Sequence, residues 1–527
     1  MASDESTLTV GPLDTLTGGS GLPLVPALTV ILHPHLDRIG HIAPLTNLLE
    51  LDVAHVSRSE PIFFPPGADA GEPLAHSFIS KNPILDVVFT RGTFELRRVQ
   101  DYRVEVDGRP LDSPRRVSAA DLQRGLIITL AKRVVLCLHS VHFPIARSPA
   151  LGLLGTSDAI EDVRRAVTRL APQDGPVLLR GESGSGKELA ARALHTASPR
   201  AKHRFVAVNM NTLGGERATA DLFGHKKGAF TGAIGDSPGY FRSAAGGTIF
   251  LDEIGNTTAD VQPKLLRVLD DGVVQPVGDT QAIKVDARIV AATDAKLEQA
   301  VADKRFERPL YFRLKAAYSI NLPPLRTRRE DIGVLLLHLL KTALIENKIS
   351  DHSILQRFQD PDPKVRPWLA ARDVAAVAAS PLPANGRSLL NLARKLALTI
   401  SDGPLANTHA IVGEFLESDV DPAADLETSG AFDGSETQTP VRCTEGRLLE
   451  ALERSGWSRS KAAELLGIGR RTLYNWLETF PQLRSVLAVP EPELHRRLKD
   501  LDGDIQKLAA QLGTTPALLN RRLGRKI

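Results

Sequence analysis

Two carboxylates end an apolar stretch near the middle of the chain, in the order Thr248-Ile249-Phe250-Leu251-Asp252-Glu253. An apolar run of this length, preceded by Gly246-Gly247, predicts a buried strand. Packing does not explain two acids at its end, because an unpaired buried carboxylate is costly. Asp252 is placed to hold Mg²⁺ directly or through water, and Glu253 to orient and deprotonate an attacking water.

A glycine-rich loop lies upstream, between a predicted strand at Val177–Arg180 and a predicted helix at Leu189–Ala197. Its glycines let backbone N–H groups turn towards a phosphate, and the following helix N-terminus adds a favourable dipole. A glycine-rich turn that only opens a helix is the alternative, which the strand–loop–helix context disfavours. Lys187 is expected to reach the β- and γ-phosphates. The predicted nucleotide-binding residues are Gly181, Glu182, Ser183, Gly184, Ser185, Gly186, Lys187 and Glu188.

A third apolar strand, at 287–292, ends in Thr293 and Asp294. Polar side chains at this position can sense a γ-phosphate. The loop and the two strand ends together predict a nucleoside triphosphatase, and these residues alone leave the identity of the nucleotide open.

Between these elements lies Gly-Ala-Phe-Thr-Gly-Ala at 228–233. With it, the chain over about 151–400 resembles the central AAA+ ATPase domain of bacterial enhancer-binding proteins, the activators of sigma-54 RNA polymerase. That family carries a GAFTGA signature and a GESGTGKE phosphate loop, so Glu188 fits its pattern. The resemblance implies ATP and Mg²⁺ as cofactors and a homo-oligomeric ring, usually a hexamer, that remodels closed promoter complexes. It also implies that Asn209 holds Glu253 inactive until the sensor loop signals.

The GAFTGA loop is expected to contact sigma-54. Phe230 is an aromatic flanked by small residues, so a mobile loop could present it as a partner anchor, whereas packing into its own domain is the alternative. The residues assigned to this contact are Gly228, Ala229, Phe230, Thr231, Gly232 and Ala233.

Two places depart from the family pattern. Where the family has FRxDLYYRL, this chain keeps Arg313 as the trans-acting arginine but has Glu307 in place of the first one, with Arg305 and Arg308 on either side. An arginine finger can contribute about 10³–10⁵ in rate, so either a neighbouring arginine substitutes or hydrolysis is slow. In the lid, Arg387 keeps the nucleotide-sensing position, while its usual acidic neighbour is Ser388.

The C-terminal end predicts a helix-turn-helix. A helix at 460–466 with two alanines, a glycine turn and a third helix at 469–478 suit two closely crossing helices. This part resembles the Fis-type domain that ends most of these activators, and a helical dimerisation module is the alternative. The residues left for phosphates and base edges of upstream activator DNA are Arg470, Arg471, Thr472, Tyr474 and Asn475.

A degenerate repeat follows. Ala463-Glu464-Leu465-Leu466-Gly467 recurs as Ala509-Ala510-Gln511-Leu512-Gly513, and Leu473 and Leu477 correspond to Leu519 and Leu523. The range 490–527 is therefore interpreted either as a second helix-turn-helix or as a basic amphipathic end.

The N-terminal part reads as an all-β sandwich. It resembles a forkhead-associated domain, a phosphothreonine-binding fold, through Arg38-Ile39-Gly40, Ser80-Lys81-Asn82 and Val106–Leu111, with Ser57-Arg58 as a rival placement of the Ser-Arg pair. A phosphoprotein or another ligand is the expected signal. The β-branched runs that predict strands are Ala27–His33, Pro83–Thr90, Thr93–Val99, Tyr102–Val106, Leu126–Leu130 and Val134–His139.

Charge is distributed unevenly. The 527 residues carry a formal charge of only +3, which excludes a uniform basic coat for DNA. No Lys or Arg occurs between Lys395 and Arg442, whereas the chain after Val441 has 16 Lys and Arg against 10 Asp and Glu. Two cysteines and no apolar run of about 20 residues fit a cytoplasmic protein without a membrane span.

The expected organisation is multidomain. A flexible arm (1–21) precedes a forkhead-associated-like sandwich (22–145), an α/β AAA+ P-loop ATPase with a helical lid (151–405), an acidic linker (406–441), an all-α Fis-type helix-turn-helix (442–482) and the 490–527 segment. The function expected is ATP-dependent activation of sigma-54 polymerase. A DNA-bound scaffold or repressor that binds ATP and barely hydrolyses it is the alternative, motivated by Glu307.

Overall fold

The computed structural model describes 23–49, 51–90, 93–145, 147–294, 296–316, 318–347, 369–401, 408–418, 445–455, 457, 491–501, 504–512, 514 and 516–523. The chain divides into two compact units, one up to Val420 and the other from Asp421. Among the residues so described, no helix is long and apolar enough to cross a membrane.

The first unit opens with a β-sandwich. One sheet has the strand order β2-β1-β10-β9-β6-β7 and the other β3-β4-β5-β8. Their facing side chains form one apolar core that includes Leu28, Val56 and Leu136. The strands are β1 (Leu24–Leu32), β2 (Ile42–Pro44), β3 (Val53–Val56), β4 (Leu85–Thr90), β5 (Thr93–Arg98), β6 (Val104–Val106), β7 (Arg109–Pro110), β8 (Arg115–Val117), β9 (Leu126–Leu130) and β10 (Val134–His142).

The predicted all-β architecture and its six runs are confirmed, with ends that shift by up to three residues. Sequence patterns missed β2, β3 and β8, which are three or four residues long. They also missed a one-and-a-half-turn helix, α1 (Ala119–Arg124), although Ser118 and Asp121 form a capping box at its start.

The predicted ATPase part contains a parallel sheet with the order β12-β13-β16-β11-β17 and apolar clusters on both faces. Burial on both faces explains why its strands read as nearly continuous apolar runs. The strands are β11 (Val177–Arg180), β12 (Phe205–Asn209), β13 (Thr248–Asp252), the short β14 (Val273–Val274) and β15 (Ile283–Lys284) pair, β16 (Arg288–Thr293) and β17 (Tyr318–Asn321).

Helices cover this sheet and continue into the lid. Those of the ATPase are α2 (Asp158–Leu170), α3 (Lys187–Thr196), α4 (Gly215–Phe223), α5 (Gly239–Ser243), α6 (Gln262–Asp271), α7 (Leu297–Ala302) and α8 (Arg308–Ala316). The lid has α9 (Ile332–Glu346), α10 (Ala371–Ala379), α11 (Gly386–Ser401) and α12 (Thr408–Ser418).

One boundary needs correction. The acidic linker was expected to start at 406, but α12 buries Val412 and Phe415 in the lid core. An amphipathic helix with two buried side chains belongs to the lid, so a linker can start only after Ser418.

The sandwich packs directly on the lid. Ile31, Ile127 and Cys137 of the sandwich share one apolar cluster with Ile332 and Leu336 of α9. The backbones approach closely at Gly333, where an added Cβ would lie 2.3 Å from the carbonyl oxygen of Ile31. A residue larger than glycine would therefore push α9 away from β1.

The second unit is helical. Its described helices are α13 (Glu445–Arg454), α14 (Glu491–Asp500), α15 (Ile505–Leu512) and α16 (Pro516–Arg522). Leu448 and Leu452 of α13 share a core with Leu494, Leu508 and Leu519. The interpretation of 490–527 as a second helix-turn-helix stays a prediction, and the predicted helices at 460–466 and 469–478 lie outside the described residues.

The junction between sandwich and ATPase contains a buried acid. The Glu330 carboxylate lies 3.8 Å from Nδ1 of His139, and both side chains are at least nine-tenths buried. Burial, with the neighbouring Asp331 carboxylate, raises the pKa of Glu330 to about 8, and burial lowers the pKa of His139. Both groups are therefore favoured in their neutral forms.

The contribution of Glu330 to stability should consequently fall as the pH rises. The folded protein holds the Glu330 proton above its ordinary pKa of 4.5, so its contribution is complete below pH 4.5 and lost through about pH 8. Glutamine at position 330 stays neutral at every pH. We therefore expect the thermal-unfolding midpoint of Glu330→Gln to lack this decline between pH 5 and 9. The exposed α12 variant Glu417→Gln should keep the wild-type profile, and an unchanged slope in Glu330→Gln would contradict the assignment.

Candidate functional site

The phosphate loop lies between β11 and α3 and is closed around Lys187. The Lys187 side chain is 6% exposed and lies 3.6 Å from Oε1 of Glu253. Its Nζ donates hydrogen bonds to the carbonyl oxygens of Gly181 at 2.9 Å and Glu182 at 3.4 Å. An ammonium group held by carbonyl oxygens beside a carboxylate is poised for exchange with phosphate oxygens.

The two predicted acids stand where β13 ends. The backbone N–H of Glu253 donates to Oδ1 of Asp252 at 3.1 Å. Glu253 adopts a left-handed backbone with φ of 55°, which is strained for a residue with a Cβ and is typical of functional positions. Burial raises the pKa of Asp252.

The carboxyl end of β16 lies beside the phosphate loop and the end of β13. The backbone N–H of Gly181 donates to the carbonyl oxygen of Thr293 at 3.3 Å. Burial and a hydrogen bond with Asp294 raise the pKa of Glu253. The structure therefore brings Lys187, Glu253 and Asp294 together at the carboxyl edge of the sheet.

Asn209 lies in register with Asp252 on the neighbouring parallel strand. Its side-chain oxygen accepts the backbone N–H of Asn211 at 2.9 Å, at the end of β12. The restraint of Glu253 by Asn209 stays a prediction, since Glu253 here faces Lys187 and Asp294.

The lid closes over the phosphate loop. Nη1 of Arg387 donates to Oγ of Ser183 at 2.5 Å, and the N–H of Gly386 donates to the carbonyl oxygen of Gly184 at 3.0 Å. Gly184 has φ of +73°, and a Cβ there would lie 2.1 Å from the carbonyl oxygen of Ala384. Only glycine allows so close an approach.

Two partners of this loop were missed by sequence reasoning. Arg326 donates to both carboxylate oxygens of Glu182 at 2.6 and 2.5 Å, and this pairing lowers the pKa of Glu182. Nδ2 of Asn385 donates to Glu182 at 3.2 Å and to the Ser183 carbonyl at 3.0 Å. Their position in the Leu-Arg-Thr-Arg-Arg and Asn-Gly-Arg runs was the available signal.

A cavity of about 540 Å³ lies between the loop, the strand ends and the lid. Its polar side includes Lys187, Asp252 and Arg387, and its apolar side includes Leu153 and Leu339. Oγ of Ser185 and Oε2 of Glu253 are buried without a hydrogen-bond partner. A pocket of this size with both kinds of wall fits a nucleotide, and the unpaired oxygens fit a cation or water held at the phosphates.

Glu188 faces the same cavity from the first turn of α3. It also forms an exposed ion pair with Arg192, at 2.8 Å. An acid at this position thus serves the helix as an i,i+4 pair as well as lining the pocket.

The GAFTGA loop forms a compact turn. The N–H of Gly228 donates to the Ala233 carbonyl at 2.9 Å, and the N–H of Ala233 donates to the Phe230 carbonyl at 3.0 Å. The Phe230 ring packs edge-on against His225, with centroids 5.0 Å apart, so it is half-buried. The following residue, Ile234, is 88% exposed and was not singled out from the sequence.

The remaining loop positions divide between surface and interior. Ala229 is half-buried beside Gly278, whereas Ala233 is buried. Gly228, Thr231 and Gly232 are exposed, which leaves the tip accessible to a partner.

The arginines near α8 contact their own chain. Arg313 lies 2.9 Å from Oδ1 of Asp270 and donates to the carbonyl oxygen of Leu269. Arg305 pairs with Asp303 at 2.9 Å, and Arg308 lies over the Phe312 ring. The N–H of Glu307 donates to the Gln262 side chain at 2.7 Å.

The predicted DNA-contacting residues, Arg470, Arg471, Thr472, Tyr474 and Asn475, lie outside the described residues. At the edge of this region, the Arg522 guanidinium of α16 lies 5.3 Å from the centre of the Trp457 ring. Arg522 therefore serves packing within the second unit.

Two parts of the chain match known protein families. Residues 153–320 match the Sigma-54 interaction domain, and residues 446–480 match the bacterial regulatory protein family of Fis type. The DNA-binding transcriptional regulator NtrC of Escherichia coli K12 is 39% identical over 343 residues, which cover 62% of this chain and 69% of that protein.

A second relative and a solved structure are also similar to this chain. The Nif-specific regulatory protein of Rhodobacter capsulatus is 37% identical over 410 residues, covering 71% of this chain and 67% of the relative. The crystal structure of NtrX from Brucella abortus in complex with ADP is 29% identical, covers 62% of this chain and 69% of its own, and superposes with a TM-score of 0.44.

The phosphate loop, the acidic strand end and the loop at 228–233 thus lie inside a sigma-54 interaction domain, which is an AAA+ ATPase domain. A Fis-type DNA-binding domain follows in the same chain. The chain belongs to the sigma-54-dependent transcriptional activators, which bind ATP and DNA and act on sigma-54 polymerase.

Proposed function

We propose that ATP is hydrolysed in the cavity between the phosphate loop and the lid, with Lys187 on the phosphates and Glu253 as the general base. The observation that carries this assignment is the 3.6 Å pairing of Lys187 with Glu253 beside Asp252. Phosphate oxygens would take over Lys187, which frees the Glu253 carboxylate for a water molecule. Its raised pKa suits a group that must take up a proton.

Mg²⁺ belongs to the same proposal. Asp252 is its proposed ligand, and when bound the ion neutralises charge that develops on the phosphates. Thr293 and Asp294 would sense the γ-phosphate, and Arg387 would report it to the lid; the hydrogen bond of Asp294 with Glu253 and that of Arg387 with Ser183 support these roles. The backbone of residues 181–188 would bind the remaining phosphate oxygens.

Assembly of a homo-oligomeric ring, as in a hexamer, would bring Arg313 to a neighbouring nucleotide. Glu307 favours a second function, in which the chain binds ATP and hydrolyses it slowly as a DNA-bound scaffold. The intact Lys187, Asp252 and Glu253 favour the activator.

We further propose that the N-terminal sandwich has the forkhead-associated fold and that its ligand is something other than phosphothreonine. Arg58 donates to the carbonyl oxygens of Ile79 and Ser77, both at 2.8 Å. Arg38 is buried and donates to the Glu72 carboxylate and to the Glu72 and Pro73 carbonyls. Both candidate phosphate-binding arginines are therefore engaged inside the domain.

DNA binding is assigned to Arg470, Arg471, Thr472, Tyr474 and Asn475 on the predicted recognition helix. The segment 490–527 supports that domain, because its leucines complete the core of α13. Surface arginines of this segment could add phosphate contacts.

Removal of the base should separate binding from hydrolysis. We expect Glu253→Gln to lower ATP turnover by at least about 10²-fold while nucleotide binding persists, because a general base contributes about 10²–10⁴. Turnover of assembled protein and equilibrium binding of a fluorescent ATP analogue are the measurements. Asp271→Asn, an exposed acid on α6, is the matched control, and equal turnover in wild type and Glu253→Gln would sink the enzyme assignment in favour of the scaffold.

Glu307 should limit the rate. We expect Glu307→Arg to raise turnover by about tenfold or more, because it restores a cation to a position where arginine fingers stabilise transferred charge. The rise should appear only at concentrations where the chain assembles. A decrease in turnover, with assembly intact by light scattering, would show that a neighbouring arginine already does this work.

The exposed Ile234 should add to the sigma-54 contact. Loss of a central apolar anchor typically weakens an interface by 1–2 kcal/mol or more, so Ile234→Ser should lower affinity for sigma-54 polymerase by about tenfold. ATP turnover of Ile234→Ser without polymerase should stay unchanged. The control is Ile345→Ser, which removes an isoleucine that is 74% exposed on α9, and its promoter melting should equal that of the wild type. Thr231→Ala serves as the reference for a damaged loop, and normal melting by Ile234→Ser would remove Ile234 from the interface.

A further inference from the structure

A second polar cavity, of about 660 Å³, lies where the sandwich meets the segment that leads into α9. The turn between β6 and β7, the start of β8 and the end of α1 form its sandwich side. Arg329 and Ala379 form its ATPase side. Its charged residues are Asp107, Arg109, Arg115, Arg124 and Arg329.

Positive charge exceeds negative charge around this cavity. One carboxylate, Asp107, lies 3.0 Å from Arg115, 3.6 Å from Arg124 and 4.0 Å from Arg329. Asp121 takes a share of Arg124 at 3.3 Å. Four guanidinium groups therefore face two carboxylates, and one of those carboxylates is shared three ways.

Arg329 is the most constrained of the four. Its side chain is 10% exposed, and it donates to the carbonyl oxygens of Gly125 at 3.2 Å and Ala379 at 3.0 Å. Burial and repulsion by Arg124 lower its pKa. A buried cation whose nearest carboxylate is at 4.0 Å is poorly compensated, so a second anion would stabilise it.

We propose that this cavity binds a small phosphorylated anion. Guanidinium groups present planar pairs of donors that match phosphate oxygens, and three of them converge here from separate elements around Asp107. The volume lies in the usual range for small-molecule pockets, about 300–1,000 Å³. The position at a junction between two domains also favours a compact ligand over an extended peptide.

The cavity is connected to the nucleotide site through adjacent residues. Arg329 faces the anion cavity, whereas Arg328 lines the nucleotide cavity and donates to the Ser185 carbonyl at 3.4 Å. Asp331 then accepts hydrogen bonds from Ser157 at the start of α2. A ligand that draws on Arg329 will therefore act on a rigid turn that also supports the phosphate loop, and it should change ATP turnover.

Binding is tested with inorganic pyrophosphate by calorimetry on the full chain. Saturating ADP fills the nucleotide site, divalent cations are left out, and the readout does not depend on hydrolysis. We expect one saturable site per chain, whose affinity falls at least about tenfold in the double variant Arg115→Gln/Arg124→Gln, since each charged contact contributes roughly a factor of ten. Arg97→Gln, which removes an exposed arginine paired with Glu95, should bind as wild type does.

A second variant guards against misfolding. Arg109 is exposed, so Arg109→Glu should fold normally, with an unchanged melting midpoint, and still weaken pyrophosphate. Equal affinity in wild type and in both variants would overturn the proposal. So would binding of a phosphothreonine peptide, but not of pyrophosphate, that depends on Arg115 and Arg124.

Coupling is tested separately by ATP turnover at constant free Mg²⁺. Saturating pyrophosphate should change the ATP turnover of the wild type by a factor at least twice as large as the factor by which it changes that of Arg109→Glu. Binding without this difference would overturn the link to the nucleotide site. If the wild type hydrolyses no ATP even without pyrophosphate, that result would count against the proposed ATPase mechanism. The calorimetric test of anion binding does not depend on that mechanism.

Discussion

The carboxylate of Asp331 is completely buried and connects three parts of the first unit. It accepts hydrogen bonds from the backbone N–H of Thr156, from the N–H of Ser157 at 2.8 Å and from Oγ of Ser157 at 2.7 Å, and it pairs with Arg328 at 3.3 Å. A buried charge is tolerated only when such partners surround it, and removal of one of them is strongly destabilising. The start of α2, the start of α9 and the turn before α9 are consequently fixed relative to one another, and the nucleotide cavity lies between them.

The single turn at 328–331 therefore serves several neighbours at once. Arg328 supports the phosphate loop, Arg329 reaches Gly125 of the sandwich, and Glu330 lies against His139 of β10. Arg328 and Asp331 pair with each other across this 3₁₀ turn, whereas Arg329 and Glu330 reach the sandwich, so a shift caused by one neighbour would be transmitted to the others. The apolar contact of β1 with α9 holds this turn in place, because Gly333 lets the two backbones meet. The sandwich thus contacts the ATPase through this short turn and through the apolar cluster that it shares with α9.

Chemistry that is local in sequence could be predicted, and chemistry assembled over distance could not. The phosphate loop, Asp252 and the GAFTGA loop each lie within one short run, and a parallel sheet necessarily brings its strand ends to one edge. Arg326 and Asn385 meet Glu182 from positions 144 and 203 residues away, which no local pattern encodes. Arg329 reads as one basic residue in a basic run until the fold buries it against Gly125. For Arg38 the sequence suggested a ligand-binding role that its contacts do not support. This residue belongs to the forkhead-associated signature, but its side chain donates to the carbonyl oxygens of Glu72 and Pro73 inside the sandwich.

The contact of Arg313 with Asp270 bears on whether a ring could use this arginine in trans. Both side chains are nearly half exposed, at 45% and 46%, so the pair contributes at most about 1 kcal/mol. An arginine finger that gains 10³–10⁵ in rate stabilises the transition state by roughly 4–7 kcal/mol. This stabilisation of the transition state would exceed the cost of breaking the contacts of Arg313 with Asp270 and the Leu269 carbonyl. The contacts within the chain therefore do not prevent Arg313 from acting in trans. Glu307 differs in kind: in a ring that brought it near a neighbour's phosphates, its carboxylate would repel the developing negative charge, and no rearrangement of Arg313 would remove that carboxylate. In such a ring, position 307 would limit ATP hydrolysis more than position 313.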